Sequence, residues 1–180
     1  MICALYSDFE KPKWLNSVEE RAIMGKRVPI LVVEDEQDQA QLIQDVLQNS
    51  PTPPVVSRVD SGEEAIAYLA GEGKYSDRNT YPFPFLVLLD LRMPGMGGFG
   101  VLRWLCAHLD VRQKLNLIVL SSVQSAKDIE VVYELGAQFF WAKLDCDDLQ
   151  ARVQRLQDSW VGAESDFRTP EFSLSPGSDD

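Results

Sequence analysis

Five short apolar runs alternate with segments whose apolar residues recur at helical spacing, and this alternation constrains the fold more than any other feature. The runs cover residues 29–33, 55–59, 85–89, 115–120 and 138–142. Apolar runs of this length, bounded by turn residues, are typical of strands that are buried on both faces. Strands that alternate with helices indicate a parallel sheet covered by helices on both faces, with right-handed crossovers. The sequence therefore predicts a doubly wound α/β fold with five strands and five helices.

The helical patterns cover residues 37–48, 62–70, 99–108, 126–135 and 149–160. Ser61, followed by a glutamate three residues later, predicts a capped start for the second helix, and Ser125 is expected to cap the fourth. In the third helix Leu102, Leu105 and Cys106 are expected to face inward. Gly136 is expected to end the fourth helix. Residues 74–84 contain Tyr75, Asn79, Tyr81, Pro82 and Pro84 and are predicted to be a loop.

The chain is expected to divide into an extension at residues 1–28, a folded domain at 29–160 and a tail at 161–180. The extension carries five basic against four acidic side chains and contains a pattern for one short helix. Met24 stands close before the first strand, so we consider it an alternative translation start. The tail is rich in Ser, Pro, Gly and acidic residues, a composition typical of disorder.

Composition and charge exclude several classes of protein. The formal net charge of −11 disfavours direct binding to DNA or RNA, because phosphate backbones are bound by basic surfaces. No apolar run approaches the roughly 20 residues of a membrane span, and no secretory signal begins the chain, so we expect a cytoplasmic protein. Cys3, Cys106 and Cys146 form no Cys-x-x-Cys pair and are expected to be reduced thiols. His108 is two residues from Cys106, a spacing that does not bring helical side chains together.

Polar side chains stand at the ends of four of the predicted strands. Glu34 and Asp35 follow the first strand, Asp90 follows the third, and Ser121 and Lys143 follow the fourth and the fifth. The carboxyl ends of parallel strands share one edge of the sheet, which is where open α/β sheets bind ligands. We therefore expect these five side chains to converge on one crevice.

The residue types at this edge point to metal-assisted phosphoryl chemistry. Three neighbouring carboxylates repel one another, and a bound divalent cation such as Mg²⁺, which prefers hard oxygen ligands, relieves that repulsion. Asp90 could act as a nucleophile and form an aspartyl phosphate, with Lys143 and Ser121 contacting the phosphoryl oxygens. Taken singly, each residue has a structural explanation as a helix-terminal charge, a turn residue, a cap or a solvated charge. Those explanations do not account for the agreement of all five.

The motifs VVEDE, LLDLRMPGMGG, IVLSS and FFWAK, in this order and at these separations, resemble a response regulator receiver domain of two-component signalling. The resemblance covers about residues 29–160. It implies a flavodoxin-like sheet of strand order 2-1-3-4-5.

The resemblance also implies a role for each site residue. Three roles concern the metal: Glu34 and Asp35 match the acidic pair, with Asp35 the direct ligand, and Arg92 offers a backbone carbonyl. The remaining roles concern phosphorylation. Asp90 matches the phospho-acceptor, which is also a metal ligand, and Lys143 matches the lysine of the pocket. Ser121 matches the switch hydroxyl and Phe140 the switch aromatic. Three positions are unusual: Glu34 replaces the commoner aspartate, Leu144 follows Lys143 where the family usually has a proline, and Arg92 brings a cationic side chain close to the pocket.

The function that the resemblance implies is that of a single-domain response regulator, a phospho-accepting signalling protein rather than an enzyme. A sensor histidine kinase would phosphorylate Asp90 with Mg²⁺ and thereby change the surface of the fourth helix, fifth strand and fifth helix. That surface would bind a downstream protein or form a homodimer. The segment GEGKYSDRNTYPFPF further resembles the corresponding segment of regulators that partner phytochrome-type kinases. The tail is not expected to form a DNA-binding module.

Four alternatives remain open from the sequence. The protein could be a phosphorelay intermediate without its own output, or a receiver fold that binds partners without phosphorylation. A flavodoxin shares the sheet order, but the acidic loop at residues 34–36 would repel its phosphate unless a metal intervened. A haloacid dehalogenase-type hydrolase also uses Asp and Mg²⁺, but it places a second Asp two residues after the nucleophile on its first strand, where this chain has Gln37.

Overall fold

A computed structural model describes residues 27–49, 53–122, 125–143 and 151. Its strands are β1 (Pro29–Val33), β2 (Val55–Val59), β3 (Leu86–Leu89), β4 (Asn116–Ser121) and β5 (Phe139–Ala142). They form one parallel sheet in the order β2-β1-β3-β4-β5. The predicted α/β class and the strand order 2-1-3-4-5 are therefore confirmed.

Four helices connect the strands, and two shorter helical segments accompany them. The helices are α1 (Gln37–Gln48), α2 (Gly62–Ala70), α3 (Gly97–Ala107) and α4 (Ala126–Glu134). A 3₁₀ turn at Gly73–Ser76 follows α2, and a single helical turn at Leu109–Arg112 follows α3. Of the predicted helix at 149–160 only Ala151, which is helical, is described. Residues 1–26 of the predicted extension, which include Met24, and the predicted tail also lie outside the described residues.

The side chains of the strands alternate between two apolar layers, one on each face of the sheet. On one face α1 packs on the sheet, and the buried residues there are Ile30, Val32, Ile43, Val46, Leu47, Leu86, Leu88, Ile118, Leu120 and Trp141. On the other face α2, α3 and α4 cover the sheet, with Tyr68, Leu102, Leu105 and Val132 among the buried residues. Within the described part of the chain, no helix is both long and apolar enough to span a membrane.

Most predicted helix boundaries are confirmed, but two details of the helices are wrong. Ser61 Oγ accepts a hydrogen bond from the Glu64 N–H at 3.3 Å, as the capping pattern predicts. Ser125 lies at the N-cap position of α4, as predicted, but its side chain makes no capping bond among the described residues. Cys106 is exposed rather than inward; it lies in the last turn of α3, and its thiol donates to the carbonyl of Leu135 at 3.3 Å.

The segment between α2 and β3, predicted to be a loop, is held against the end of α2 by aromatic and cationic side chains. The rings of Tyr68, Tyr75 and Tyr81 form a cluster in which neighbouring centroids are 4.9 to 6.1 Å apart. Arg78 donates to the carbonyls of Tyr68 at 2.8 Å and Leu69 at 3.0 Å. These bonds satisfy carbonyls that the end of a helix leaves without partners. The segment therefore has a defined structure at the amino end of β3, opposite the edge where Asp90 lies.

Candidate metal centre

The acidic residues of the site follow two neighbouring strands at the middle of the sheet. The Asp90 N–H donates to the carbonyl of Val33 at 3.0 Å, and the Glu34 N–H donates to the carbonyl of Val59 at 3.1 Å. These bonds continue the ladders of β1 with β3 and of β1 with β2 by one residue beyond the strands. The backbone that carries the acids is thus fixed by strand pairing on both sides of β1.

The three carboxylates lie together at this edge. Ligand oxygens of Glu34, Asp35 and Asp90 are all within 4.8 Å of one another. The exposed fraction is 1% for Glu34 and 3% for Asp90. Asp35 Oδ1 and Asp90 Oδ1 are buried and have no hydrogen-bond partner among the described residues. Buried carboxylate oxygens without a partner are costly, and a divalent cation is the ligand that would compensate such a set.

Lys143 lies at the end of β5 and reaches the same carboxylates. Its Nζ is 2.8 Å from Glu34 Oε2 and 3.1 Å from Asp90 Oδ2, and 15% of its side chain is exposed. Burial alone would lower the pKa of Lys143, but the hydrogen bond to Glu34 and the charges of Asp90 and Glu34 outweigh burial and raise it. The ammonium is therefore held in its charged form beside Asp90.

Burial is also the main reason why the pKa of Glu34 is raised above its ordinary value. The hydrogen bond and the charge of Lys143 oppose this shift, while the charge of Asp90 adds to it. The N–H of Glu36 also donates to Glu34 Oε1 at 3.3 Å. Glu34 is thus a carboxyl group whose ionisation depends on a neighbouring cation.

The structure also places the other predicted site residues, Ser121, Phe140 and Arg92. Ser121, at the end of β4, is fully buried, and its carbonyl accepts from the Lys143 N–H at 3.0 Å. Phe140 is 8% exposed and belongs to the core on the side of α2, α3 and α4. Its N–H donates to the hydroxyl of Tyr133, an α4 residue whose exposed fraction is 46%. Arg92 stands two residues after Asp90 with its side chain exposed.

A glycine allows α3 to begin directly against Asp90. A Cβ atom at Gly98 would overlap the carbonyl oxygen of Asp90 and lie 2.7 Å from the Cα of Leu91. The Gly98 N–H donates to the carbonyl of Leu91 at 3.2 Å. Only a residue without a side chain fits this approach, so Gly98 sets the position of the loop that follows Asp90.

Two contacts of the site were not predicted. Arg58 of β2 donates to the carbonyls of Glu34 and Asp35, and Glu63 of α2 accepts from the N–H of Met96 in the loop after Asp90 at 3.1 Å. A single charged residue inside the otherwise apolar and small sequence VVSRV is the only sign of the first contact. The second carries no sign in the sequence.

Comparison with known proteins agrees with this geometry. Residues 30–154 match the family described as response regulator receiver domain. Response regulator Rcp1 of Synechocystis sp. is 30% identical over 133 residues, which are 73% of this chain and 88% of Rcp1. The crystal structure of the phosphorylated cyanobacterial phytochrome response regulator RcpA has a TM-score of 0.68 at 31% identity, covering 77% of this chain and 97% of RcpA. The crystal structure of the Mn²⁺-bound form of Rcp1 has a TM-score of 0.65 at 29% identity, covering 77% of this chain and 97% of that chain.

Proposed function

Because this chain belongs to the response regulator receiver family, we propose that it is a phosphorylation-controlled switch that accepts a phosphoryl group on Asp90. The observation that carries the proposal is the pair of buried, unpartnered oxygens of Asp35 and Asp90, together with Lys143 Nζ at 3.1 Å from the other oxygen of Asp90. The unpartnered oxygens of Asp35 and Asp90 are left to bind a cation, and the Lys143 ammonium lies beside the Asp90 carboxylate that would accept the phosphoryl group. Residues 29–160 would form the receiver domain, acting in the cytoplasm.

The residues present fit Mg²⁺. Glu34, Asp35 and Asp90 offer carboxylate oxygens and Arg92 a backbone carbonyl, all of the hard type that Mg²⁺ selects. Bound there, Mg²⁺ would neutralise negative charge on the transferred phosphoryl group. A relative, Rcp1, has a structure in a Mn²⁺-bound form, which supports a divalent cation for this chain as well.

The chain's own residues supply the rest of the transfer. An oxygen of Asp90 forms the bond to phosphorus while the bond from phosphorus to the donor nitrogen, a phosphohistidine of a sensor kinase, breaks and leaves its electron pair on the imidazole. Lys143 offsets the charge on one phosphoryl oxygen as a point charge. The hydroxyl of Ser121 donates to another phosphoryl oxygen. The identity of 31% with a cyanobacterial phytochrome response regulator supports a phytochrome-type kinase as the donor.

The output would be a change of surface. Movement of Ser121 towards the phosphoryl group would allow Phe140 to shift, and Phe140 is bonded through its N–H to Tyr133, which is 46% exposed on α4. The surface of α4, β5 and the following helix would then bind a downstream protein or form a homodimer. Of the predicted fifth helix of that surface, only Ala151 is among the described residues.

Labelling with a small phosphodonor tests the proposal. The protein is incubated with acetyl phosphate and Mg²⁺, and intact mass is measured for the wild type, Asp90→Ala and Asp110→Ala. Asp110 is an exposed aspartate in the turn after α3 and serves as the matched control. We expect one phosphoryl group on the wild type and on Asp110→Ala, and none on Asp90→Ala or in EDTA. Equal labelling of Asp90→Ala would refute the assignment, and an unlabelled wild type would favour a phosphorylation-independent binding module.

A further inference from the structure

Arg58 lies on the strand next to the metal-binding loop, and two of its nitrogens make three hydrogen bonds to that loop. Its Nε and Nη2 lie 3.3 and 3.2 Å from the carbonyl oxygen of Glu34, and Nη2 lies 3.2 Å from the carbonyl oxygen of Asp35. Arg58 is opposite Val32 in the pairing of β1 with β2. The side chain therefore runs along the sheet towards its carboxyl edge and meets the backbone that carries the acidic pair.

These bonds take over where strand pairing ends. The ladder of β1 with β2 stops at Val33 and Val59, and one further bond joins the Glu34 N–H to the carbonyl of Val59. Beyond that bond, no backbone N–H of the described residues donates to the carbonyls of Glu34 and Asp35. The planar guanidinium reaches both carbonyls with donors in a fixed geometry, whereas a lysine ammonium is a point charge on a flexible stem and would hold the two carbonyls less firmly.

We infer that Arg58 is a positioning residue for the metal site: its guanidinium fixes the backbone of Glu34 and Asp35 so that their carboxylates face the cation. This inference rests on the metal site of the proposed function. It assigns Arg58 no direct contact with metal or phosphate. Groups that orient metal ligands from behind typically contribute about 10- to 100-fold to metal affinity.

Charge and positioning predict opposite results for removal of Arg58. Arg58 is a cation near three carboxylates that are to hold another cation, so on Coulombic grounds its removal should strengthen metal binding. If Arg58 acts by holding the loop, its removal should weaken metal binding. The sign of the change therefore separates the two roles.

Mn²⁺ binding, measured by the electron paramagnetic resonance signal of free Mn²⁺, gives the test. Arg58→Met keeps an apolar side chain but removes the guanidinium, and Arg58→Lys keeps the positive charge without the guanidinium. Arg103→Met is the control, because it removes an arginine charge from an exposed position of α3. We expect about a ten-fold or greater rise in the Mn²⁺ dissociation constant for Arg58→Met. We expect Arg58→Lys to remain weaker than the wild type, and Arg103→Met to bind as the wild type does.

Each other outcome counts against the inference. Unchanged or tighter Mn²⁺ binding by Arg58→Met, or full recovery by Arg58→Lys, would overturn the positioning role while leaving the proposed function intact. A wild type that does not bind Mn²⁺ would refute the metal site itself and the inference with it. Urea unfolding in EDTA checks that the variants are folded before metal is added, and Arg58→Lys decides the matter if Arg58→Met does not fold.

Discussion

Replacement of Lys143 by methionine isolates the electrostatics of the pocket. The substitution keeps an apolar stem but removes the ammonium that lies 2.8 Å from Glu34 and 3.1 Å from Asp90. Both carboxylates, which are 1% and 3% exposed, are then buried without a counterion. Removing one partner of a buried ion pair typically costs about 3–5 kcal/mol. We expect the unfolding free energy of Lys143→Met to be about 3 kcal/mol lower than that of the wild type. This is the lower end of the range, because Glu34 can take up a proton when its partner is missing.

Mg²⁺ should reverse much of this loss. In the wild type, Mg²⁺ must share the carboxylates with the Lys143 ammonium. In Lys143→Met, no ammonium offsets the charge of the carboxylates before Mg²⁺ binds. The gain in unfolding free energy on addition of Mg²⁺ should therefore be larger for the variant than for the wild type.

The assay is urea unfolding at neutral pH in EDTA and again in excess Mg²⁺, with Lys74→Met as the matched control. Lys74 forms an ion pair of nearly the same length, 2.7 Å, with Glu64, but the two side chains are 61% and 37% exposed. Water screens that pair, so its loss should hardly change stability. Equal stability of the two lysine variants in EDTA would contradict this prediction, as would a difference between Lys143→Met and the wild type that Mg²⁺ does not reduce.

Two further predictions concern the packing around the site and the core. Gly98→Ala forces a Cβ against the backbone of Asp90 and should cost about 1–3 kcal/mol of unfolding free energy and weaken Mn²⁺ binding; wild-type values for both would contradict the close approach. Tyr68→Phe removes hydroxyl contacts of 3.0 Å to Ser57 and to the carbonyl of Pro82 and should destabilise the protein at neutral pH. Burial raises the pKa of the Tyr68 hydroxyl above its ordinary value of 10.0, so as the pH rises the hydroxyl ionises in the unfolded protein before it ionises in the folded protein. The unfolding free energy of the wild type should therefore fall above about pH 10, and the difference in stability between the wild type and Tyr68→Phe should narrow. A deficit that stays constant or widens in urea unfolding at alkaline pH would refute this.

The fold could be predicted from the sequence because its local and global signals agree. Runs such as residues 29–33 and 86–89 are apolar at every position, which only a sheet covered on both faces accommodates. Gly136, with a φ angle of 88°, ends α4 as the sequence predicts, and Gly71, with a φ angle of 75°, ends α2 in the same left-handed conformation. Consistency of this kind between local preference and tertiary structure is what makes a boundary predictable.

The convergence of the acids and Lys143 was predictable for a different reason. It requires only that parallel strands share an edge, so the residue after each strand belongs to the site. To predict the contacts of Arg58 and Tyr133, one would also need to know which strands pair with each other and in which direction a long side chain extends. The exposure of Cys106 likewise depended on where the core ends, which periodicity along α3 does not reveal.

The order of the strands divides the pocket into a slow and a fast side for amide hydrogen exchange. The carboxylates follow β1 and β3, which have neighbours on both sides, whereas Lys143 follows β5 at the edge of the sheet. Amides of central strands exchange only in large openings, and amides of edge strands exchange in small local ones. Brief detachment of β5 would thus withdraw Lys143 and Phe140 together while the carboxylates keep their arrangement.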